Sequence, residues 1–226
     1  MYRIRAARGF TMIEMALVLG VVAAILAALA PAAFTYLRDA QITQAQNDAN
    51  QIGSAIHTFM EHTALHPYKN TTSTTKVSAR NTTTLPYDFD CLYGPGNLFT
   101  TTTDQTTSDS WTSSGGVQCQ SGSATADALE HHLILNTPAG AGTTPTRAYV
   151  TTGKIAWRGP YLPRIPQDPW GNAFLVNIGK GDPAAATKKA VFVISAGPDG
   201  LLQTSSDASR SAVVSASGDD IIARIQ

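Results

Sequence analysis

Glu14 is the one charged side chain between Arg8 and Arg38, in an apolar stretch that runs to Leu37. From Met15 to Phe34 no side chain carries a charge or a hydrogen-bonding group, a run long enough to cross a ~30 Å hydrocarbon core at ~1.5 Å per residue. A carboxylate in such a segment costs roughly 2.5–3.5 kcal/mol on insertion scales, so it requires a partner or a purpose. The chemistry open to it is charge pairing, because opposite charges in an apolar bundle are tolerable together and costly apart. Cys91 and Cys119 are the two cysteines of the chain. A disulfide between them would close a loop of about 28 residues and contribute ~3 kcal/mol; two separate buried thiols are the alternative. No Cys or His nearby would complete a tetrahedral metal site with them. His62 and His66 stand four apart, but no third ligand is evident, and His131-His132 is uninformative. There is no nucleophile elbow, P-loop, dinucleotide fingerprint or zinc motif, so nothing points to an enzyme.

These residues need elements to hold them. The 226 residues commit about forty to the apolar stretch and leave room for one head domain. Ile42, Ala45, Ala49, Ile52, Ile56 and Phe59 recur at spacings of three and four, which predicts an amphipathic helix to about Thr63. Gln41, Gln44, Gln46, Asn47, Asp48, Asn50 and Gln51 form its other face. One helix over 10–63 therefore has an all-apolar first half and a striped second half, and Pro31 is expected to kink or loosen it. Its apolarity on all sides argues against a buried core helix. A secretory signal cut after Ala28-Leu29-Ala30 would leave Pro31 at the first mature position and Glu14 within its apolar region. A plain single-span anchor is the other alternative.

Residues 70–125 turn to Thr, Ser, Asn and Gly, with Tyr87, Phe89, Tyr93 and Trp111 scattered through them. This segment is too polar for a core of its own and reads as long loops and short edge strands, stapled by the cysteines. Asn70 and Asn81 fit the N-glycosylation pattern, to which little weight attaches. A short helix is expected at 124–135. Short strands are expected at 148–150, 154–157, 174–176 and 191–194, forming an antiparallel sheet over the helix seam. The fold class is α+β.

Gly9-Phe10-Thr11-Met12-Ile13-Glu14, preceded by Arg3, Arg5 and Arg8, resembles the processing site of type IV pilins and type II secretion pseudopilins. The resemblance implies that residues 1–9 are a basic leader, cut between Gly9 and Phe10 by a prepilin peptidase, with N-methylation of Phe10. It also implies that Glu14 neutralises the terminal amine of a neighbouring subunit and that the region of Pro31 melts on assembly. Trp157-Arg158-Gly159-Pro160-Tyr161-Leu162 and Asp168-Pro169-Trp170-Gly171-Asn172 are similar to a block of the major pseudopilin. In physical terms the second is turn chemistry around an aromatic anchor that can bury area against the helix.

Ser195-Ala196-Gly197-Pro198-Asp199-Gly200 with Gly218-Asp219-Asp220-Ile221 resembles the calcium-binding loop of the same family. The ligands implied are the Asp199, Asp219 and Asp220 side chains, with the Ser195 carbonyl a candidate; calcium takes six to eight hard oxygens. The intervening 201–217 is longer than the family loop, has few glycines and carries Asp207, and a hairpin with acidic turns is the alternative.

The expected function is that of a structural subunit of a type II secretion pseudopilus. The resemblance implies partners: copies of itself, an inner-membrane assembly platform and minor pseudopilins. It implies a location too, with the helix in a bacterial inner membrane and the head 64–226 in the periplasm before assembly. A type IV pilin acting in adhesion, motility or DNA uptake is the alternative, favoured by the long Thr/Ser-rich segment. A monomeric membrane-anchored binding protein is the rival from another class. Charge is balanced at 16 against 16, and loss of the leader arginines leaves a mildly acidic chain, which does not suggest a nucleic-acid surface.

Overall fold

The computed structural model describes residues 10–63, 91–97, 111, 119, 126–138, 148–149, 151–178, 190–206 and 215–225. One 52-residue helix, α1, spans Met12–Thr63 and passes through Pro31 without interruption. Thr35 donates its hydroxyl to the carbonyls of Pro31 (2.9 Å) and Ala32 (3.1 Å) just past that point. The elements after it are β1 Cys91–Tyr93, β2 Ala126–Ala128, α2 Leu129–Leu133, β3 Leu175–Val176, β4 Phe192–Ser195 and β5 Ile221–Arg224. The sheet order is β2-β1-β3-β4-β5. The protein is an α+β fold in which a helix packs on a small sheet.

The chain forms two compact units, residues 1–41 and 42–226. In the first, α1 is exposed from Met12 to Ala40, with Leu17 67%, Leu26 62% and Phe34 67% accessible. In the second, Ala49, Ile52, Ala55, Ile56 and Phe59 of α1 share a core with Leu92, Val176, Val193 and Ala223. Those four lie one on each of β1, β3, β4 and β5, and they define the sheet face turned to the helix. The predicted seam is therefore correct from Ala45 to Phe59, while Ile42 is 43% exposed. Phe59 is met edge-on by Tyr149 and Tyr161, with ring centroids 5.0 and 5.7 Å away.

The opposite sheet face is also buried, which explains why β4 is apolar at successive positions rather than alternating. Cys91, Leu175, Phe192 and Ile194 on that face are covered by Trp111, Cys119 and Leu202. The Cys91–Cys119 disulfide is formed. Trp111 is fully buried, lies edge-on to Phe192 at 5.8 Å and donates its Nε1–H to the Thr204 carbonyl. Polar as it is overall, the 70–125 segment thus contributes an interior strand and, through Trp111 and Cys119, cover for a second core, contrary to expectation.

Other elements depart from expectation as well. The sheet is mixed, because β1 and β2 pair in parallel while the other three pairings are antiparallel. Parallel neighbours need a crossover of a dozen or more residues, and the long segment between Tyr93 and Ala126 is that crossover. The expected helix 124–135 shortens to Leu129–Leu133 because Asp127 stays extended, its Oδ1 accepting the Ala128 N–H at 2.8 Å. Asn136 closes its far end at φ 53°.

The segment 154–157 is not a strand; Ala156 instead donates its N–H to the His62 carbonyl near the end of α1 (3.0 Å). Nor is 148–149, where Asn136 clasps the Tyr149 backbone through both amide atoms at 3.0 and 2.7 Å. β5 was not expected at all, since its Ile-Ile-Ala-Arg run directly follows the acidic turn. Gln46 of α1 secures it by donating to the Ile222 carbonyl at 3.1 Å. Because Phe59 joins the helix to both tyrosines, Phe59→Ala is expected to lower the unfolding free energy of the head by about 3–5 kcal/mol. Near-UV circular dichroism of the detergent-solubilised full chain in urea measures it.

Candidate functional site

The N-terminal site is built at the first turn of α1. Thr11 precedes the helix, and its backbone N–H and hydroxyl both donate to Glu14 Oε2, at 2.8 and 2.9 Å. Glu14 returns its N–H to the Thr11 hydroxyl at 3.3 Å. This is a reciprocal capping box, in which a Thr and the Glu three residues on satisfy each other's backbone donors. The carboxylate therefore has a partner inside its own chain. Thr11 was missed in the sequence although the Thr-x-x-Glu spacing announces it. Phe10 is 81% exposed, and Gly9 lies outside the described residues. By length and composition α1 can cross a membrane, and its apolar window is unburied.

The Asp168-Pro169-Trp170-Gly171-Asn172 turn is organised by its aspartate. Asp168 Oδ1 accepts the N–H groups of Trp170 (3.0 Å) and Asn172 (2.7 Å), and Oδ2 accepts the Ser195 hydroxyl (2.8 Å). Gly171 supplies a positive φ of 88°, and Asn97 bonds across to Gly171 and Ala173. The turn is thus locked to the end of β4. Trp170, expected to bury its ring against the helix, is only half-buried and stays outside that core. Trp157 packs there instead; it donates Nε1–H to the His132 carbonyl at 2.8 Å and lies edge-on to Tyr161. Gly159 is required beside it, since a Cβ would meet the indole at 2.4 Å.

The C-terminal loop brings two of the expected carboxylates together. Asp219 Oδ2 accepts the Asp199 N–H at 3.1 Å, and Gln203 spans the pair, donating Nε2–H to Asp199 Oδ2 (2.8 Å) and accepting the Asp219 N–H (3.3 Å). Gly197, at φ 65°, allows the close approach, because a Cβ would stand 2.3 Å from the Asp219 carbonyl. Burial, opposed by the Asp199 N–H and reinforced by the Asp199 charge, holds the Asp219 carboxyl above its ordinary value. Asp220 serves the loop backbone: its Oδ2 accepts the N–H groups of Gln203 (2.9 Å) and Thr204 (2.5 Å). Burial nevertheless pushes its pKa up to about 6.

Ser195 is buried opposite Ile221 in the ladder, with its hydroxyl committed to Asp168. Among the described residues no three His, Cys, Asp or Glu gather as a metal cluster. Asp219 Oδ1 and Asp220 Oδ1 are nonetheless buried without a hydrogen-bond partner among those residues, so the donor set fits a hard cation in part. Asp207 and His66 lie outside the described residues.

His131-His132 turns out to be engaged. Asp127 Oδ1 meets His131 Nδ1 at 2.5 Å, and Asp127 Oδ2 meets His132 Nε2 at 3.0 Å. His132 Nδ1 is 2.6 Å from the Tyr149 hydroxyl. The cluster ties β2 and α2 to the tyrosine that packs on Phe59.

With this geometry in place, comparison with known proteins bears on the C-terminal part of the head. Residues 143–213 match the family model of type II secretion system (T2SS), protein G. That is the major pseudopilin family to which the Trp157–Leu162 and Asp168–Asn172 blocks pointed, and the pseudopilin resemblance holds there. The matched segment is just under a third of the 226 residues. It contains the Asp168 turn, β3, β4 and Asp199, and it ends before Asp219 and Asp220. No curated protein and no solved structure matches the chain.

The Asp127 hydrogen bond raises the His131 pKa above its ordinary 6.5, burial opposing it. Its stabilising contribution is present in full below the unfolded value and is lost as pH rises through the raised one. The urea midpoint of the head is expected to fall across that window, and His131→Gln to remove that part of the fall; equal pH profiles for the two chains would disprove the linkage.

Proposed function

We propose that this chain is a structural, non-enzymatic subunit of a type IV pilus-like filament, the pseudopilus of a type II secretion system. One observation carries the reading: a head segment matching protein G shares a chain with an exposed apolar helix of membrane length, whose second half packs into that head. In this reading a prepilin peptidase cuts between Gly9 and Phe10, and the new amino group is methylated. The helix holds the subunit in the inner membrane with its head in the periplasm. An assembly platform then extracts it, and the helices of many copies, with minor pseudopilins, form the filament core.

Glu14 supports the assembly step. The capping box engages only Oε2, which leaves Oε1 for the amine of a neighbouring Phe10, and the charge pair would set the register between subunits. A type IV pilus is the second reading, favoured by residues 70–125, which fall outside the protein G match. Glu14→Ala is expected to reduce filament yield in sheared fractions by about tenfold or more, the loss of one buried charge pair. Mass spectrometry of the wild-type filament should find a chain beginning at methylated Phe10. Wild-type yield from Glu14→Ala would refute the register role, and surface filaments with unimpaired exoprotein secretion in a deletion strain would favour the pilus.

Calcium is the cofactor this reading assigns to the C-terminal loop. Asp199 and Asp219 would hold it, with Asp220 Oδ1 and the Ser195 carbonyl as further donors. The ion would supply positive charge where two carboxylates crowd. Removing calcium with a chelator and restoring it should lower and raise the melting temperature by several degrees, as expected for a ligand well above its Kd. The shift should vanish in Asp219→Asn, and an unmoved melting temperature in the wild-type chain removes calcium from the proposal.

A further inference from the structure

Beside the polar face of α1 lies a groove of about 450 Å³, walled on one side by Gln44, Asp48 and Gln51 and on the other by Pro95, Arg164 and Ile165. Its two charges have opposite signs and stand on opposite walls. Asp48 is half-buried and Arg164 exposed, and neither is engaged by another charged or hydrogen-bonding side chain among the described residues. The occupant that satisfies such a groove carries a cation and an anion side by side, in the reverse order.

This chain carries that pair. Arg38 and Asp39 are adjacent and exposed on α1, immediately after the apolar run. Consecutive helical residues diverge by about 100°, so a helix laid along the groove would turn one of these charges to each wall. We infer that the groove receives the Arg38–Asp39 turn of α1 from a second copy of the chain, Arg38 facing Asp48 and Asp39 facing Arg164.

The inference rests on the filament reading and adds the surface that reading lacks. The donor turn and the groove are different patches of one chain, so the contact is heterologous, and heterologous contacts that do not close generate open helical filaments rather than dimers. The α1 residues of the groove, Gln44, Asp48 and Gln51, lie five to thirteen residues past the charged pair in the sequence, so docking demands an axial stagger between neighbours. Two copies standing level in a membrane would not make it. The charge pairing selects the stagger, in the manner that complementary charges fix register at other interfaces.

The test uses the full chain in cells that carry out assembly. Arg38→Cys combined with Asp48→Cys, and separately Asp39→Cys combined with Arg164→Cys, should give oxidised ladders at dimer mass and above, absent from the single variants. Asp48→Arg should lower filament yield by about tenfold, and adding Arg38→Asp in the same chain should restore it to within about twofold. Filaments from the double-cysteine chains with no ladder, or an exchange variant no better than Asp48→Arg alone, would overturn the docking and leave the filament reading standing. Cross-links to a different protein would overturn it equally. A wild-type chain that forms no filaments would overturn both.

Discussion

Strands of two to four residues cannot hold a sheet by their own ladders, so the head depends on the apolar stripe of α1 lying across one sheet face. Ile52, Ile56 and Phe59 are fully buried in that contact, each worth roughly 1.5–3 kcal/mol as a side chain removed from water. Everything near the far end of the helix is arranged around Phe59. Tyr149 and Tyr161 meet its ring, Trp157 meets Tyr161, and the Asp127 cluster meets Tyr149. Loops without regular structure gain fixed positions because their aromatic anchors converge on one helical residue.

The second sheet face poses the opposite problem, for among the described residues no helix covers it. A chain of this size solves it with Trp111 and the disulfide. The tryptophan supplies the area that a helix would have supplied, and the Cys91–Cys119 bond fastens the covering segment to the strand it covers. The same segment makes the crossover that lets β1 and β2 run parallel. Its Thr- and Ser-rich composition thus coexists with a structural role, carried among the described residues by Trp111 and Cys119.

Periodicity made α1 legible, since a stripe repeated over many turns outweighs local accidents, and the buried run of β4 was legible for its length. Glu14 stood out because its cost in an apolar run is large. What could not be read was set by partners distant in the chain. Asp127 stays extended only because histidines following it and a backbone N–H claim its carboxylate. The run at 154–157 has strand composition, yet its Ala156 N–H is taken by α1. β5 follows directly on acidic turn residues that drew the reading toward ligands, and its pairing with β4 is a long-range choice. Asp199 and Asp219 do meet, whereas Asp220 is spent on the 203–204 backbone, a division that no spacing rule distinguishes.

The two halves of α1 suit different surroundings, and the change occurs within a few residues after Leu37. Before it, side chains are apolar on every side, which suits lipid or a bundle of like helices and no water-facing surface. After it, one stripe is committed to the sheet and the remainder is Asn, Gln and a few charges. An amide-rich face on a helix is well solvated by water and poorly by lipid, and it can exchange those hydrogen bonds for ones to another protein surface at less desolvation cost than full charges. The capping box belongs to the same logic at the other end. It satisfies backbone donors of the first turn and gives one carboxylate oxygen two hydrogen bonds within the single subunit. Both Thr11 bonds fall on Oε2, and Oε1 takes no part in the box.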